Sequence, residues 1–184
     1  MSIKNKAYQF REETHQIISD YKEILYQSVS FLRDSKNWLE FKKLKEIIND
    51  DVYYMRLKSL INMALVYFYS LYEGFTRAYF KNLTLNDFGL KESEFNRKFS
   101  AFHDIVKNLM KDIYKIHIPK NIFSNLKMLR DARHRIAHGV KNAKSDFAIV
   151  EICYQTLLEY FRYMENRITV FSKRLQHQKF TEKI

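Results

Sequence analysis

The run Leu60-Ile61-Asn62-Met63-Ala64-Leu65-Val66-Tyr67-Phe68-Tyr69-Ser70-Leu71-Tyr72 sits inside the most apolar stretch of the chain, residues 52–83. With Leu57, Phe75 and Phe80 it forms a segment that is apolar nearly all round, which predicts a central, mostly buried helix.

Toward the N-terminus, Tyr8, Ile17, Ile18, Tyr21, Leu25, Val29 and Leu32 recur at mostly helical spacing, so a first amphipathic helix is expected from Asn5 to Leu32. Ser35 is expected to cap a second helix through Trp38, Leu39, Phe41, Leu44, Ile47 and Ile48, with Lys42, Lys43 and Lys45 on its polar face. Asn49-Asp50-Asp51 reads as a break or a cap.

Toward the C-terminus, Thr84 to Ser93 reads as a loop, and Glu94 to Ile116 as a helix closed by Pro119. A further helix is expected from Ile122 to His138, ending at Gly139, the residue type that best adopts the left-handed conformation beyond a helix end. A last helix is expected from Asp146 to about Leu175, capped by Ser145 and Asp146, with 176–184 a flexible tail.

Composition agrees with this pattern. The 184 residues include three Gly and one Pro, too few for the turns of a many-stranded sheet. The expected fold is all-α, a single-domain antiparallel bundle of five to six helices over 1–184. No uncharged apolar stretch is long enough to span a bilayer, no apolar signal core follows Met1, and the lone thiol is Cys153. A soluble, cytoplasmic protein is the expectation.

The charge balance is more informative about partners. Lys and Arg number 32 against 21 Asp and Glu, leaving +11, and the sequence pI is near 9.6. Such an excess favours a polyanionic partner, a nucleic acid or an anionic membrane face. No helix combines a strongly basic face with exposed bulky apolar residues, which argues against the membrane. GxGxxG, GxxxxGK[ST] and GxSxG are all missing, so dinucleotide binding, P-loop hydrolysis and α/β-hydrolase chemistry lack their loops. Cys153 reads as a small core residue rather than a nucleophile.

The densest functional cluster is Arg130-Asp131-Ala132-Arg133-His134-Arg135-Ile136-Ala137-His138-Gly139. In one reading Arg133 binds a phosphodiester and its developing charge while His138 transfers a proton near neutral pH. RNA would supply the 2′-hydroxyl as nucleophile. Five positions apart on an ideal helix, these side chains are turned about 140° from one another, so the pairing requires an unwinding helix end or a second copy of the chain. In another reading His134 and His138, at i and i+4, offer two nitrogens to zinc, with Asp104 or His103 as a distant third ligand and no Glu at 135. In the plainest reading the basic residues only favour the negative end of the helix dipole.

Glu73 and Gly74 interrupt the apolar helix. The acid would either orient Arg133 or His138 or face solvent, and the glycine would permit another helix to approach. Lys107, Lys111, Lys115 and Lys120 form a candidate phosphate track ahead of the cluster. His15, His103, His117 and His177 show no pattern.

Arg133-His134-Arg135-Ile136-Ala137-His138-Gly139 resembles the signature of HEPN ribonuclease domains: an arginine, commonly a polar residue after it, variable positions, and a histidine near a helix end. Leu65-Val66-Tyr67-Phe68-Tyr69-Ser70-Leu71-Tyr72-Glu73-Gly74-Phe75 is similar to the long, acid-containing helix of one branch of that family. The resemblance implies an all-α bundle that dimerises, joins two Arg/His pairs over a shared cleft and cuts RNA without a metal or other cofactor, leaving a 2′,3′-cyclic phosphate. It implies catalytic roles for Arg133 and His138, supporting roles for His134 and Glu73, and RNA contacts by Arg130 and Arg135. It also implies a toxin or phage-defence setting with an antitoxin or other neutralising partner; a non-catalytic module that binds RNA or a protein is the alternative. The chain has His134 where many such motifs carry Asn or Asp, and Gly139-Val140 lacks the HxY extension of the branch paired with minimal nucleotidyltransferases.

Overall fold

A computed structural model describes residues 3–139 and 146–177. Among them there is no strand; the elements are α1 (Ile3–Leu44), α2 (Asp50–Phe88), α3 (Glu92–Lys98), α4 (Phe102–Asp104), a π-helix (Ile105–Ile113), α5 (Lys120–Ala137) and α6 (Ala148–His177). The protein is an all-α helical bundle. None of these helices is long and apolar enough to cross a membrane.

The expected boundary at Ser35 is absent, because Ser35 lies in mid-helix and α1 continues to Leu44. A serine ends a helix only where the backbone leaves it, and no Gly or Pro nearby makes it do so. The helix ends instead on a Schellman motif: Ile47 N–H donates to the Lys42 carbonyl and Glu46 N–H to that of Lys43, each at 3.0 Å, with Glu46 left-handed at φ 55°. Asn49 then caps α2, its Oδ1 accepting from Val52 N–H at 2.9 Å, while Asp50 and Asp51 face the positive end of the helix dipole.

The loop expected from Thr84 is helical as far as Phe88. Thr84 donates to the Phe80 carbonyl at 2.7 Å and Asn86 to the Asn82 carbonyl at 2.9 Å, so these polar side chains bond to the helix that carries them. The chain turns at Gly89, φ 65°, and α3 begins where the Glu94 carboxylate accepts from Lys91 N–H at 2.8 Å. The single helix expected from Glu94 to Ile116 is three pieces. Its last piece is π-helical, closing with Tyr114 N–H on the Leu109 carbonyl at 2.8 Å, so Ile105, Leu109, Met110 and Tyr114 share its buried side. α5 and α6 stand within two or three residues of expectation, and Asp146 caps α6 through a 3.0 Å bond from Ala148 N–H. The tail expected from 176 starts too early, since Gln176 and His177 are the last residues of α6, and Ser145 and residues 178–184 lie outside the described residues.

The chain divides into two compact units. The first takes residues up to Tyr21, Glu73–Ile118, and the chain from Phe161 on. Its core is aromatic: Phe75 and Phe161 lie 4.4 Å apart by ring centres, and Tyr21 meets Phe75 edge-on at 5.6 Å. Fully burying each such side chain contributes about 1.5–3 kcal/mol. A Cβ at Gly74 would stand 2.8 Å from the Tyr21 hydroxyl, so the glycine admits Tyr21 to α2. Between α1 and α2 runs a buried polar ladder, in which Thr14 donates to the Phe10 carbonyl at 2.6 Å and Asn82 donates to Thr14 Oγ1 at 2.9 Å. Tyr79 donates to the Met164 carbonyl at 3.1 Å, and burial raises its phenol well above the ordinary value, keeping it neutral.

The second unit takes Lys22–Tyr72 and Pro119–Tyr160. Leu25, Val29 and Leu32 of α1, Ile61, Ala64, Leu65 and Phe68 of α2, Ile122, Leu126, Leu129 and Ala132 of α5, and Val150, Cys153 and Leu157 of α6 are its buried residues at helical spacing. Arg33 forks onto Glu151 with bonds of 2.8 and 2.7 Å, joining α1 to α6. Tyr72 meets Tyr160 edge-on at 5.2 Å.

Candidate functional site

The Arg/His cluster occupies the last two turns of α5, inside the second unit. Ile122, Leu126, Leu129 and Ala132 commit one face of α5 to the core, which leaves Arg130, Arg133, His134, Arg135 and His138 exposed. α5 stops at Ala137. His138 takes the C-cap position at φ −95°, ψ 11°, and Gly139 is left-handed at φ 66°, its N–H donating to the Ile136 carbonyl at 3.1 Å. His138 thus stands where the helix unwinds, as the sequence suggested.

Within the cluster each side chain has a different setting. Arg133 lays its guanidinium 5.6 Å from the centre of the Tyr69 ring of α2, and no carboxylate among the described residues pairs with it. Arg130 is held by its neighbour, with Nη2 3.0 Å from Asp131 Oδ1, and Arg135 Nε donates to the Asp131 backbone carbonyl at 3.3 Å. The Arg130 pair is exposed at both ends, and such pairs contribute at most about 1 kcal/mol, so a phosphate competes for that arginine readily. His134 and His138 bring their rings together, 4.3 Å between centres at 61°. Arg133 and His138 share no hydrogen bond.

Glu73 is half-buried in the first unit and forms no side-chain hydrogen bond or ion pair among the described residues. Lys107, Lys111 and Lys115 are exposed in the first unit, and Lys120 is exposed in the second. His134 and His138 are adjacent, as the metal reading requires of its first two ligands. Yet among the described residues no group of three or more His, Cys, Asp or Glu is placed to hold a metal ion, so neither Asp104 nor His103 completes it. Tyr69 was not legible as a site residue: its ring is part of an apolar helix in the sequence, and only the packing of α2 against α5 puts Arg133 over it.

No protein-family model, curated protein or solved structure matches the chain.

Proposed function

We propose that the protein is a homodimeric, metal-independent endoribonuclease of the HEPN type. The observation that carries this reading is the exposure of both Arg133, free of any described carboxylate partner, and His138, set at the unwinding end of α5 before a left-handed Gly139. An uncompensated guanidinium presents paired donors to a phosphodiester and to the charge that builds on it. An imidazole has one nitrogen that can accept a proton and, once protonated, can donate it.

Two copies related by a two-fold axis would supply two His138 imidazoles to one cleft. One accepts the proton of the RNA 2′-hydroxyl as its oxygen attacks phosphorus. The other donates a proton to the departing 5′-oxygen as the P–O5′ bond breaks. The products are a 2′,3′-cyclic phosphate and a 5′-hydroxyl, and atoms and charge balance without a metal or other cofactor. Arg130 and Arg135 bind flanking phosphates, and His134 holds the His138 ring at 4.3 Å between centres, while Glu73 has no described contact through which it would serve the site. Unchecked cutting of cellular RNA would be toxic, so a toxin or defence role in the cytoplasm with a neutralising partner accompanies this reading.

The test is incubation of the purified protein with labelled single-stranded RNA and with tRNA, with and without EDTA, beside the Arg133→Ala and His138→Ala variants. Cutting that survives EDTA, leaves cyclic-phosphate ends and vanishes in both folded variants is expected. Cutting abolished by EDTA would move the chemistry to a His134/His138 metal site. Binding of RNA with no cutting would make the protein a non-catalytic RNA-binding module.

A further inference from the structure

From Arg33 to Val52, the end of α1 and the turn into α2, no residue is buried. The segment nonetheless carries Trp38, Phe41, Leu44 and Ile47, exposed at 56, 43, 82 and 61%. So many large apolar groups left in water on one stretch mark a contact surface. With Lys42, Lys43 and Lys45 beside them, they overturn the expectation that no helix joins a basic face to exposed bulky apolar residues.

Its geometry differs from that of the core. Buried pairs such as Tyr72 with Tyr160 meet edge-on at 71°, whereas Trp38 and Phe41 lie nearly parallel, 12° apart with centres at 5.4 Å. Lysines are interleaved with the rings. Lys42 Nζ sits 5.1 Å from the centre of Trp38, and Lys43 Nζ sits 4.8 Å from that of Tyr53 while also pairing with Asp50 at 3.2 Å. Lys45 is exposed beside them.

We infer that this surface, centred on Trp38, Phe41, Lys42 and Lys45, docks single-stranded RNA. Unpaired bases stack on exposed parallel rings whatever their identity, and the phosphate next to each base needs a cation within reach of the same ring. Residues 38 and 41 supply the rings, and residues 42 and 45 the cations, over the last turns of α1 and the residue that follows it. A second copy of the chain suits the surface poorly, since it would set lysines against lysines in a protein of net charge +11. The choice of RNA over other single strands rests on the ribonuclease reading, which this surface would serve by holding substrate outside the Arg133/His138 centre.

Trp38 is the only tryptophan in the chain, so its emission reports on this surface alone. The full-length His138→Ala protein, which binds without cutting if the ribonuclease reading holds, is titrated with fluorescein-labelled oligouridine, with duplex RNA, and with an acidic amphipathic peptide. Trp38 emission and probe anisotropy are both followed. The expected result is quenching by oligouridine, saturating together with the anisotropy, and weaker for the duplex. Trp38→Ala should weaken binding about fivefold or more. Lys42→Ala with Lys45→Ala should lower the salt slope by about 1.4, the value for two phosphates on a single strand. Circular dichroism confirms that each variant is folded, and Trp38→Phe, which keeps a stacking ring, should bind within about twofold of the parent. Oligouridine that raises the anisotropy but leaves Trp38 emission unchanged overturns the inference, as does quenching by the peptide alone. Quenching by oligouridine together with a wild-type protein that cuts no RNA would support the docking surface while removing the ribonuclease reading.

Discussion

The guanidinium of Arg133 lies 5.6 Å from the centre of the Tyr69 ring, so α5 presents its phosphate-binding candidate on an aromatic plate supplied by α2. A cation held over a ring at an exposed site gains about 0.5–1 kcal/mol, and the ring also restricts where the long side chain points.

Tyr69→Phe should therefore leave RNA cleavage close to wild type, while Tyr69→Ala should lower kcat/KM by about two- to fivefold, the rate equivalent of that contact. Steady-state kinetics on a short labelled RNA checks this. Equal losses in both variants would mean that the hydroxyl matters and the ring face does not.

Glu46 holds a left-handed backbone at φ 55° in the Schellman motif that ends α1, a conformation that costs a residue with a Cβ about 1 kcal/mol. Glu46→Gly should raise the melting temperature by about 2–4 °C, read by thermal unfolding. A fall would show that the acidic side chain gives more than its backbone costs.

A similar economy governs Gly74. A methyl group there would meet the Tyr21 hydroxyl at 2.8 Å, and the Tyr21 ring is fixed edge-on against Phe75 and Phe161. Gly74→Ala should destabilise by about 1–3 kcal/mol in the wild-type background. In a Tyr21→Phe background, which lacks that oxygen, it should become neutral or stabilising by up to about 1 kcal/mol, because alanine is the better helix former. Denaturant unfolding of the four proteins gives the coupling; additive effects would mean that Tyr21 swings aside freely.

Burial pushes the Cys153 thiol up to about 12 from its ordinary 9. At pH 8 the folded protein should fail to react with a disulfide reagent, and the denatured protein should consume one equivalent. The unfolded chain loses this proton near 9 and the folded chain only near 12. Stability from the buried thiol is therefore full below pH 9 and declines as pH rises through 9 toward 12. Cys153→Ala should flatten that alkaline decline, and an unchanged slope would trace it to other groups.

The helical class, a helix over 52–83, and the positions of α5 and α6 were legible from apolar spacing, because each buries one continuous face. The expectation that 52–83 is mostly buried fails: α2 is amphipathic, with Tyr54, Met55, Met63 and Tyr67 exposed, since an apolar side chain is often left at the surface. The breaks were harder to see. Ser35 looks like a cap because serine competes for backbone donors, yet local competition loses where the helix has no reason to stop. Thr84 and Asn86 look like loop residues for the same reason and instead bond back along α2. The π-helix was hidden because Phe102, Ile105, Val106 and Leu109 fit the ordinary helical period as well as the wider one. At the candidate site, Arg133, His138 and the helix stop at Gly139 could be read from the chain, since they depend on neighbours in sequence. The Tyr69 plate could not, because it depends on which helix packs beside α5.

The bonds joining Phe10, Thr14 and Asn82 also bear on how the chain avoids folding wrongly. α1 and α2 are long and repetitively apolar, and moving one past the other by a single turn, about 5.4 Å, would still bring greasy residues against greasy residues. Hydrophobic matching alone distinguishes such misregistered alignments poorly. In each of them the Thr14 hydroxyl keeps its bond to the Phe10 carbonyl of its own helix, but the Asn82 amide loses Thr14 Oγ1 as its acceptor in a dry interior, at a cost of about 1–3 kcal/mol. The two side chains act as a key cut for one alignment, and their contribution lies in the competing folds they penalise.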